Sequence, residues 1–197
     1  METFSSQQHP IKSLEQWLEQ AKHTELRNPS AFVLSTVDST GHPSSRVLLV
    51  KEVVPEGIVF YTNYSSRKGR EITDNPAVAA NFYWDVLGRQ ICMRGSLEKV
   101  PREQSIAYWE TRPRDSQVAQ YVSNQSEPVE SRERLEQLFK EAEQRMTNQT
   151  VPCPDTWGGY ILRATEIEFW LADPRRFHDR FHYRETNGEW KCQRLCP

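Results

Sequence analysis

The sequence has no long hydrophobic run. Its 197 residues are 37% hydrophobic and 26% charged, and the mean hydropathy is -0.77. No apolar stretch approaches the roughly 20 residues that a membrane-spanning helix needs. The N-terminal segment METFSSQQHPIKSLEQ also lacks the apolar core of a secretory signal. These absences predict a globular cytoplasmic protein with no membrane partner.

Cysteine is scarce, and its spacing does not suit a metal site. None of the four cysteines forms a C-x-x-C pair, and only the last two lie close together in the chain. The four are Cys92, Cys153, Cys192 and Cys196. Without a second pair they cannot complete a zinc site, and the absence of a signal segment favours reduced thiols. His178 and His182 would lie about 13 Å apart on a strand, too far for one metal ion, so we expect no metal.

The common nucleotide-binding and nucleophile motifs are missing as well. The chain contains no G-x-G-x-x-G, no P-loop and no G-x-S-x-G. Its net charge of -2 does not favour nucleic acid as a partner. An enzyme with neither a protein nucleophile nor a metal set would leave its chemistry to an organic cofactor.

The hydrophobic pattern predicts a mainly β protein with peripheral helices, an α+β fold. Predicted strands cover 31–37, 46–54, 58–62, 78–84, 89–99, 159–163, 167–170, 180–184 and 190–195, with a turn at 38–43. Predicted helices cover 11–23, 67–75, 101–111, 116–122 and 130–147. Because strands follow one another without intervening helices, an antiparallel barrel fits better than a doubly wound parallel sheet. We expect one domain over 1–197, with a flexible tail at 1–10 and a helical insertion at 101–150.

Basic residues form four separated clusters on this slightly acidic chain. The clusters are Arg46 with Lys51, Arg67 with Lys68, Arg112 with Arg114 and Ser116, and the run that begins at Arg175. The second cluster opens a predicted helix, and a helix N-terminus with nearby cations is a good anion site. A phosphate usually takes an arginine fork with further donors. The pattern indicates two phosphate groups, although scattered surface charge remains the alternative for any single cluster.

The segment 170–180 carries Arg176, His178 and Arg180 at alternate positions. On an extended strand, such positions point to one face of the sheet. Two guanidiniums and an imidazole on one face would repel each other unless an anion or an electron-rich ligand lies there. A solvated strand face is the alternative interpretation.

Aromatic residues lie close to these basic clusters in the sequence. They would suit a pocket for flat rings, and they would equally suit the core. They are Tyr61, Tyr83, Trp84, Tyr108, Trp157 and Trp170.

Eight short segments and the C-terminal ending carry the most specific pattern in the chain. They are SRVLLVK (45–51), FYTNYSSRKGREITDNP (60–76), GRQICMRG (88–95), RPRDSQ (112–117), VSNQS (122–126), WGGY (157–160), EFW (168–170), RRFHDR (175–180) and the ending RLCP. In this order and at this spacing they resemble the pyridoxamine 5′-phosphate oxidase family. The resemblance covers about Pro10 to Pro197, nearly the whole chain.

The resemblance implies an FMN-dependent oxidase with a split antiparallel β-barrel, working as a homodimer with FMN at the subunit interface. The implied reaction oxidises C4′ of pyridoxamine 5′-phosphate or pyridoxine 5′-phosphate, passes a hydride to flavin N5, and uses O2 to return the flavin to its oxidised state. The products are pyridoxal 5′-phosphate and hydrogen peroxide, and ammonia is released from the amine substrate. The family often closes an N-terminal arm over the substrate, and we expect this chain to lack that arm. A phenazine-type flavin oxidase and a non-catalytic FMN- or pyridoxal-phosphate-binding protein remain the alternatives.

The resemblance also implies roles for particular residues. The implied FMN-binding residues are Arg46, Val47, Leu48, Leu49, Val50, Lys51, Tyr61, Thr62, Arg67, Lys68, Gln90, Gln125, Ser126, Trp170 and Arg180. The implied substrate-binding residues are Lys51, Tyr108, Arg112, Ser116, Arg176, Phe177 and His178. Arg176 and His178 are the implied catalytic residues, on the pyridine ring near the reacting carbon.

Overall fold

The computed structural model of the protein describes residues 6–147 and 149–197. Five helices and nine strands lie in these residues. The helices are α1 Pro10–Lys22, α2 Arg67–Asp74, α3 Arg102–Glu110, α4 Arg114–Val122 and α5 Arg132–Arg145. The strands are β1 Ala31–Val37, β2 Pro43–Leu49, β3 Glu52–Val54, β4 Gly57–Asn63, β5 Ala77–Trp84, β6 Arg89–Lys99, β7 Trp157–Leu171, β8 Asp179–Thr186 and β9 Glu189–Leu195. The division into one domain with a tail and an insertion stays a prediction, and residues 1–5 of that tail lie outside the described residues.

All nine strands join one antiparallel sheet, which confirms the predicted antiparallel arrangement. The order is β2-β1-β5-β6-β7-β4-β3, and β8 and β9 extend the sheet from the second half of β7. The long strand β7 therefore pairs with β4 through its first half and with β8 through its second half, and β6 lies along its other edge. This change of partner along one strand curls the sheet into a half-barrel.

Two strand predictions were wrong, one at a change of strand partner and one at a β-bulge. The predicted strand 46–54 is two strands, since β2 pairs with β1 while β3 pairs with β4. At the junction, the Val50 backbone N–H donates to Ser30 and that of Lys51 donates to Val59. The predicted turn 38–43 also loses its last residue, Pro43, to β2.

The separate strands predicted at 159–163 and 167–170 are one continuous strand, β7. A shift of register between Arg94 and Gly95 of β6 leaves Thr165 of β7 without a paired residue, which is the geometry of a β-bulge. Gly95 is required at this point, because a Cβ there would lie 1.9 Å from the carbonyl oxygen of Arg163. The bulge lets the strand bend without ending.

One face of the sheet carries the main core. Along β5, the residues Val78, Ala80, Phe82 and Trp84 are buried, while the alternate residues face the other side. Helix α1 covers this core with an apolar stripe, and its Trp17 ring meets Phe169 edge to face at 5.1 Å. No helix within the described residues is long and apolar enough to cross a bilayer.

A second, smaller core holds the three helices α3 to α5 against the start of β7. Its centre is Trp109, whose ring lies 4.8 Å from that of Trp157 and whose indole N–H donates to the Val151 carbonyl at 2.9 Å. Val118, Ala142 and Met146 complete it. This core fixes the aromatic start of β7 beside α3 and α4.

Candidate functional site

The N-terminal end of α2 contains a buried cation. The Lys68 ammonium, in a side chain only 7% exposed, donates to Thr62 Oγ1 at 3.1 Å, Ser66 Oγ at 3.1 Å and Gln125 Oε1 at 2.8 Å. All three acceptors are neutral, and within residues 6–147 and 149–197 no carboxylate forms an ion pair with it. Burial, and next the nearby Arg46 guanidinium, lower the pKa of Lys68 to about 8. A buried positive charge in this state is suited to an anionic ligand.

The start of α2 is shaped for close approach. Ser66 caps the helix by accepting from the Gly69 N–H, so one of the free N–H groups of the first turn is satisfied by the cap. A Cβ at Gly69 would lie 2.0 Å from the Tyr64 carbonyl oxygen, so only glycine lets the helix begin this close to the preceding loop.

Behind the helix start lies a buried carboxylate, Glu71, that is 5% exposed. It accepts hydrogen bonds from Ser44 and Thr36 hydroxyls, from Arg46 Nη2 at 3.1 Å and from Arg67 Nε at 2.8 Å. Burial alone would raise the pKa of Glu71, but these hydrogen bonds outweigh it and hold the pKa at about 2. The sequence analysis missed Glu71, although its position four residues after Arg67 predicts an ion pair on one helix face.

We call the residues around the start of α2 the helix group. It unites five of the residues predicted to bind the cofactor, and Ser126 follows Gln125 with a positive φ of 77°. The group consists of Arg46, Thr62, Arg67, Lys68 and Gln125.

Aromatic rings and a guanidinium stack at the junction of β4, α3 and β7, and we call them the ring group. The Tyr61 ring lies 4.0 Å from that of Tyr108 and 5.4 Å from that of Trp157, all nearly parallel. The Arg112 guanidinium lies 4.8 Å from the Trp157 ring centre, and burial lowers its pKa. Its Nη2 donates to the backbone carbonyl of Ser116 at 3.3 Å, not to the hydroxyl. The Lys51 side chain, predicted to join this cluster, is exposed.

Three predicted cofactor residues form a row across neighbouring strands, which we call the sheet group. Gln90 on β6 is paired in register with Trp170 on β7, and Trp170 is paired with Arg180 on β8. Arg180 is held by the Glu168 carboxylate at 2.8 and 3.0 Å. Gln90 donates to the Cys92 sulfur at 3.3 Å. The row lies on the sheet face opposite the main core.

The prediction that Arg176, His178 and Arg180 alternate on a strand was wrong. Strand β8 begins only at residue 179, and Arg176 lies in a turn with a positive φ of 67°. Within that turn, His178 accepts the Asp173 backbone N–H at its Nδ1 atom, 3.1 Å away. The alternation failed because a proline and two arginines precede β8 as a tight turn, which the period-two pattern does not reveal.

The turn nevertheless brings His178 to the sheet group, because its ring lies 4.5 Å from that of Trp170. Arg176 is exposed, and Phe177 is 74% exposed.

The sheet face that carries the sheet group also presents uncovered apolar side chains, and we call it the outer face. Val33 on β1 is paired with Val47 on β2, and these side chains are 36% and 65% exposed. Tyr83 on β5, paired with Gln90, is 61% exposed. In the segment 46–50, Val47 faces this side, while Arg46 reaches toward Glu71. Exposed apolar groups concentrated on one sheet face indicate an interaction surface.

The fold and these three groups define a class of protein. It is an antiparallel sheet protein with a buried cation at a helix terminus, a stack of aromatic rings with an arginine, and an exposed apolar sheet face.

Comparison with known proteins identifies the family within that class. Residues 18–146 match the family model described as pyridoxamine 5′-phosphate oxidase, and residues 157–197 match the pyridoxine 5′-phosphate oxidase C-terminal dimerisation region. The chain therefore belongs to the pyridoxamine 5′-phosphate oxidase family of oxidoreductases, as its sequence predicts, and it is an enzyme. The second match indicates a homodimer.

Individual relatives agree with this assignment. The chain is 45% identical to a pyridoxine/pyridoxamine 5′-phosphate oxidase of Rubrobacter xylanophilus over 188 residues, which is 95% of this chain and 87% of the relative. It is 42% identical to the enzyme of the same name from Alteromonas mediterranea over 189 residues, 95% of this chain and 89% of the relative.

Two solved structures share the fold. PhzG from Burkholderia lata, in complex with tetrahydrophenazine-1-carboxylic acid, is 32% identical, has a TM-score of 0.91, and aligns over 96% of this chain and 93% of its own. A pyridoxamine 5′-phosphate oxidase-related, FMN-binding protein from Nostoc punctiforme is 15% identical, with a TM-score of 0.78 over 98% of this chain and 100% of its own. The predicted split-barrel fold is thereby confirmed.

Proposed function

We propose that the protein is an FMN-dependent oxidase that converts pyridoxamine 5′-phosphate and pyridoxine 5′-phosphate to pyridoxal 5′-phosphate. The observation that carries this proposal is the buried Lys68 ammonium, surrounded by neutral oxygens at the start of α2. A buried cation whose acceptors are all neutral favours the binding of an anionic ligand. The FMN phosphate, with close to two negative charges at neutral pH, supplies that charge.

In this proposal, the helix group holds the FMN phosphate. Lys68 contributes a positive charge, since its three N–H groups are donated to Thr62, Ser66 and Gln125. Arg67 contributes a guanidinium fork, which suits phosphate oxygens. The segment from Arg46 to Lys51 and the Tyr61–Thr62 pair would run along the flavin. The capped helix start adds a favourable dipole.

The homodimer would complete the cofactor site. The helix group lies at the N-terminal end of α2, whereas the sheet group lies on the outer face. Trp170 and Arg180 of the sheet group lie inside the region that matches a dimerisation model. Pairing two outer faces would cover the exposed Val33, Val47 and Tyr83 side chains and bring the sheet group of one protomer to the helix group of the other. FMN would then lie between the subunits.

The ring group is the proposed site for the substrate phosphate. Arg112 is pre-positioned against the rings of Trp157 and Trp109, so little side-chain freedom is lost when it binds a phosphate. Lys51 and Ser116 would add a charge and a hydroxyl. This clamp supplies binding energy remote from the reacting carbon, which aligns the substrate.

When bound, FMN would supply the redox chemistry, as the acceptor of a hydride from substrate C4′ and the donor of electrons to O2, with hydrogen peroxide as the reduced product. The protein's own catalytic contribution is assigned to Arg176 and His178. Because His178 Nδ1 accepts the Asp173 N–H, its neutral ring carries the proton on Nε2 and can donate it to a substrate oxygen or nitrogen. Arg176 adds a fixed positive charge for the same groups.

A phenazine-type flavin oxidase is the second candidate, since PhzG is 32% identical with a TM-score of 0.91. A reduced phenazine carboxylic acid carries no phosphate and has no use for the clamp of Lys51, Arg112 and Ser116. The higher identity to relatives named for pyridoxine and pyridoxamine 5′-phosphate, 42% and 45%, favours the first candidate.

Anaerobic mixing tests the proposal. The flavin-loaded protein is mixed with pyridoxine 5′-phosphate or pyridoxamine 5′-phosphate, and the visible flavin band is followed. We expect bleaching, followed on admission of air by recovery of the band and release of peroxide. Bleaching by a reduced phenazine carboxylic acid but not by the phosphorylated vitamers would support the second candidate. Binding without bleaching by any of them would indicate a non-catalytic carrier.

A further inference from the structure

The Glu71 carboxylate lies next to the proposed phosphate site, where a negative charge is unfavourable. It is buried directly behind the helix group and is held by Thr36, Ser44, Arg46 and Arg67. A carboxylate this close to a bound phosphate repels it. Its presence therefore needs a reason that outweighs the repulsion.

The two arginines that contact Glu71 differ in what they leave available. Arg46 uses Nη1 on the Leu34 carbonyl at 3.2 Å and on Thr36 at 2.6 Å, and it uses Nη2 on Ser44 at 2.6 Å and on Glu71 at 3.1 Å. Its four terminal N–H groups are thus engaged by the protein, and only Nε–H is left for a ligand.

Arg67 is arranged in the opposite way. Its Nε donates to Glu71 at 2.8 Å, and its side chain is 59% exposed. Within the described residues, the Arg67 guanidinium makes no other hydrogen bond. Its two terminal nitrogens therefore keep four N–H groups for another acceptor. A guanidinium tethered through Nε presents its fork in a defined direction.

We propose that Glu71 is a positioning residue that aims the Arg67 guanidinium at the ligand phosphate, with Arg46 as the counter-ion that keeps Glu71 charged and in place. This inference rests on the proposed FMN function of the helix group. It assigns direct phosphate binding to Arg67, a nearby positive charge to Lys68 and a supporting role to Arg46.

Two effects of opposite sign make the inference testable. If Glu71 acts only as a negative charge, Glu71→Gln removes repulsion and tightens binding of FMN. If it positions Arg67, the same change releases the guanidinium and weakens binding. Riboflavin, which lacks the phosphate, should not respond in the second case.

The experiment measures the dissociation constants of FMN and riboflavin by fluorescence, with the full chain freed of flavin. We expect Glu71→Gln to weaken FMN binding about tenfold, the loss of one charge-assisted contact, and to leave riboflavin binding unchanged. In an Arg67→Ala background, Glu71→Gln should cause no further loss, because the residue it positions is gone. Tighter or unchanged FMN binding in Glu71→Gln would overturn the inference, as would an equal loss in both backgrounds.

Helix α5 offers a matched control. Arg132 Nε donates to Glu136 Oε1 at 2.9 Å with the same four-residue spacing, on an exposed surface. Glu136→Gln removes an equivalent pair outside the helix group and should leave the affinity for FMN unchanged.

Arg67→Lys covers the case in which Glu71→Gln does not fold. This exposed substitution keeps the positive charge but loses the Nε tether and the fork, so FMN binding should weaken about tenfold as well. Wild-type affinity in Arg67→Lys would overturn the positioning role. If the wild-type chain binds FMN no better than riboflavin, the proposed phosphate site itself is overturned. If the wild type binds FMN tightly and Glu71→Gln binds it equally well, only the role of Glu71 is overturned.

Discussion

At the scale of single residues, burial decides how the candidate site behaves. Nothing in the sequence distinguishes Lys68 from a surface lysine, yet its side chain is buried among three neutral acceptors. Desolvation, followed by the charge of Arg46, lowers its pKa to about 8. Its charge state is therefore sensitive to mildly alkaline pH, which is unusual for lysine.

This sensitivity predicts a pH dependence of FMN binding. Below about pH 8 Lys68 is protonated in the free protein and attracts the phosphate, whereas above that pH binding must take up a proton. We expect the FMN affinity to fall as pH rises from 7 to 9.5, measured by flavin fluorescence. In Lys68→Met the affinity should be lower and nearly flat over this range. A wild-type profile as flat as that of Lys68→Met would contradict the prediction.

Glu71 predicts a second pH effect, this time on stability. Its folded pKa of about 2 is below the ordinary value of 4.5, so the folded state favours the charged form. The resulting stabilisation is fully present above about pH 5 and is lost as pH falls toward 2. Urea unfolding between pH 6 and pH 3 should show a steeper loss of unfolding free energy in the wild type than in Glu71→Gln. If the unfolding free energies of the wild type and of Glu71→Gln fall equally as pH is lowered, Glu71 does not contribute to the pH dependence of stability.

At the scale of elements, α2 is placed by one close approach. Gly69 allows the helix to begin against the Tyr64 carbonyl, because any Cβ there would collide with the backbone. The same placement sets the position of Lys68 and Glu71, which lie on the buried face of the helix. Gly69 therefore controls both where α2 begins and where Lys68 and Glu71 lie in the candidate site.

Gly69→Ala should displace the start of α2. We expect a loss of about 1–3 kcal/mol in the free energy of unfolding, typical of overpacking, together with weaker FMN binding and little change for riboflavin. Urea unfolding and fluorescence titration measure the two effects. If stability falls but the preference for FMN over riboflavin persists, the helix position does not control the phosphate site.

The strands show which parts of the fold the local hydrophobic pattern predicts and which it does not. The alternation of buried and exposed residues predicts β1 and β6 to the residue, because both keep one pair of neighbours and one buried face. The pattern failed at 46–54 and at 159–170, where a strand changes partners or carries a bulge. The change of partner leaves the local hydrophobic alternation intact, so the sequence gives no sign of it. The bulge moves the buried side from even to odd positions of β7, from Leu162 and Ala164 to Ile167 and Phe169, which resembles the end of one strand and the start of another.

At the scale of the whole molecule, the outer face should form the dimer. Tyr83 is 61% exposed there and lies beside Gln90 of the sheet group. We expect Tyr83→Glu to give a monomer by light scattering, since it places a charge in the interface, and to weaken FMN binding although Tyr83 is not an assigned FMN residue. Tyr121→Glu, on α4 and 41% exposed, should remain dimeric. A dimeric Tyr83→Glu would place the interface elsewhere.

The amino-acid sequence by itself determined the family and the antiparallel class, because these depend on local period and on motifs kept in order. Only the tertiary structure decided that Lys68 and Glu71 are buried, and that Arg176 and His178 lie in a turn. It also decided that the terminal nitrogens of Arg46 are engaged by the protein, whereas Arg67 is held through Nε. The physical reason is that burial, hydrogen-bond partners and turn geometry arise from segments far apart in the chain, which local periodicity does not encode.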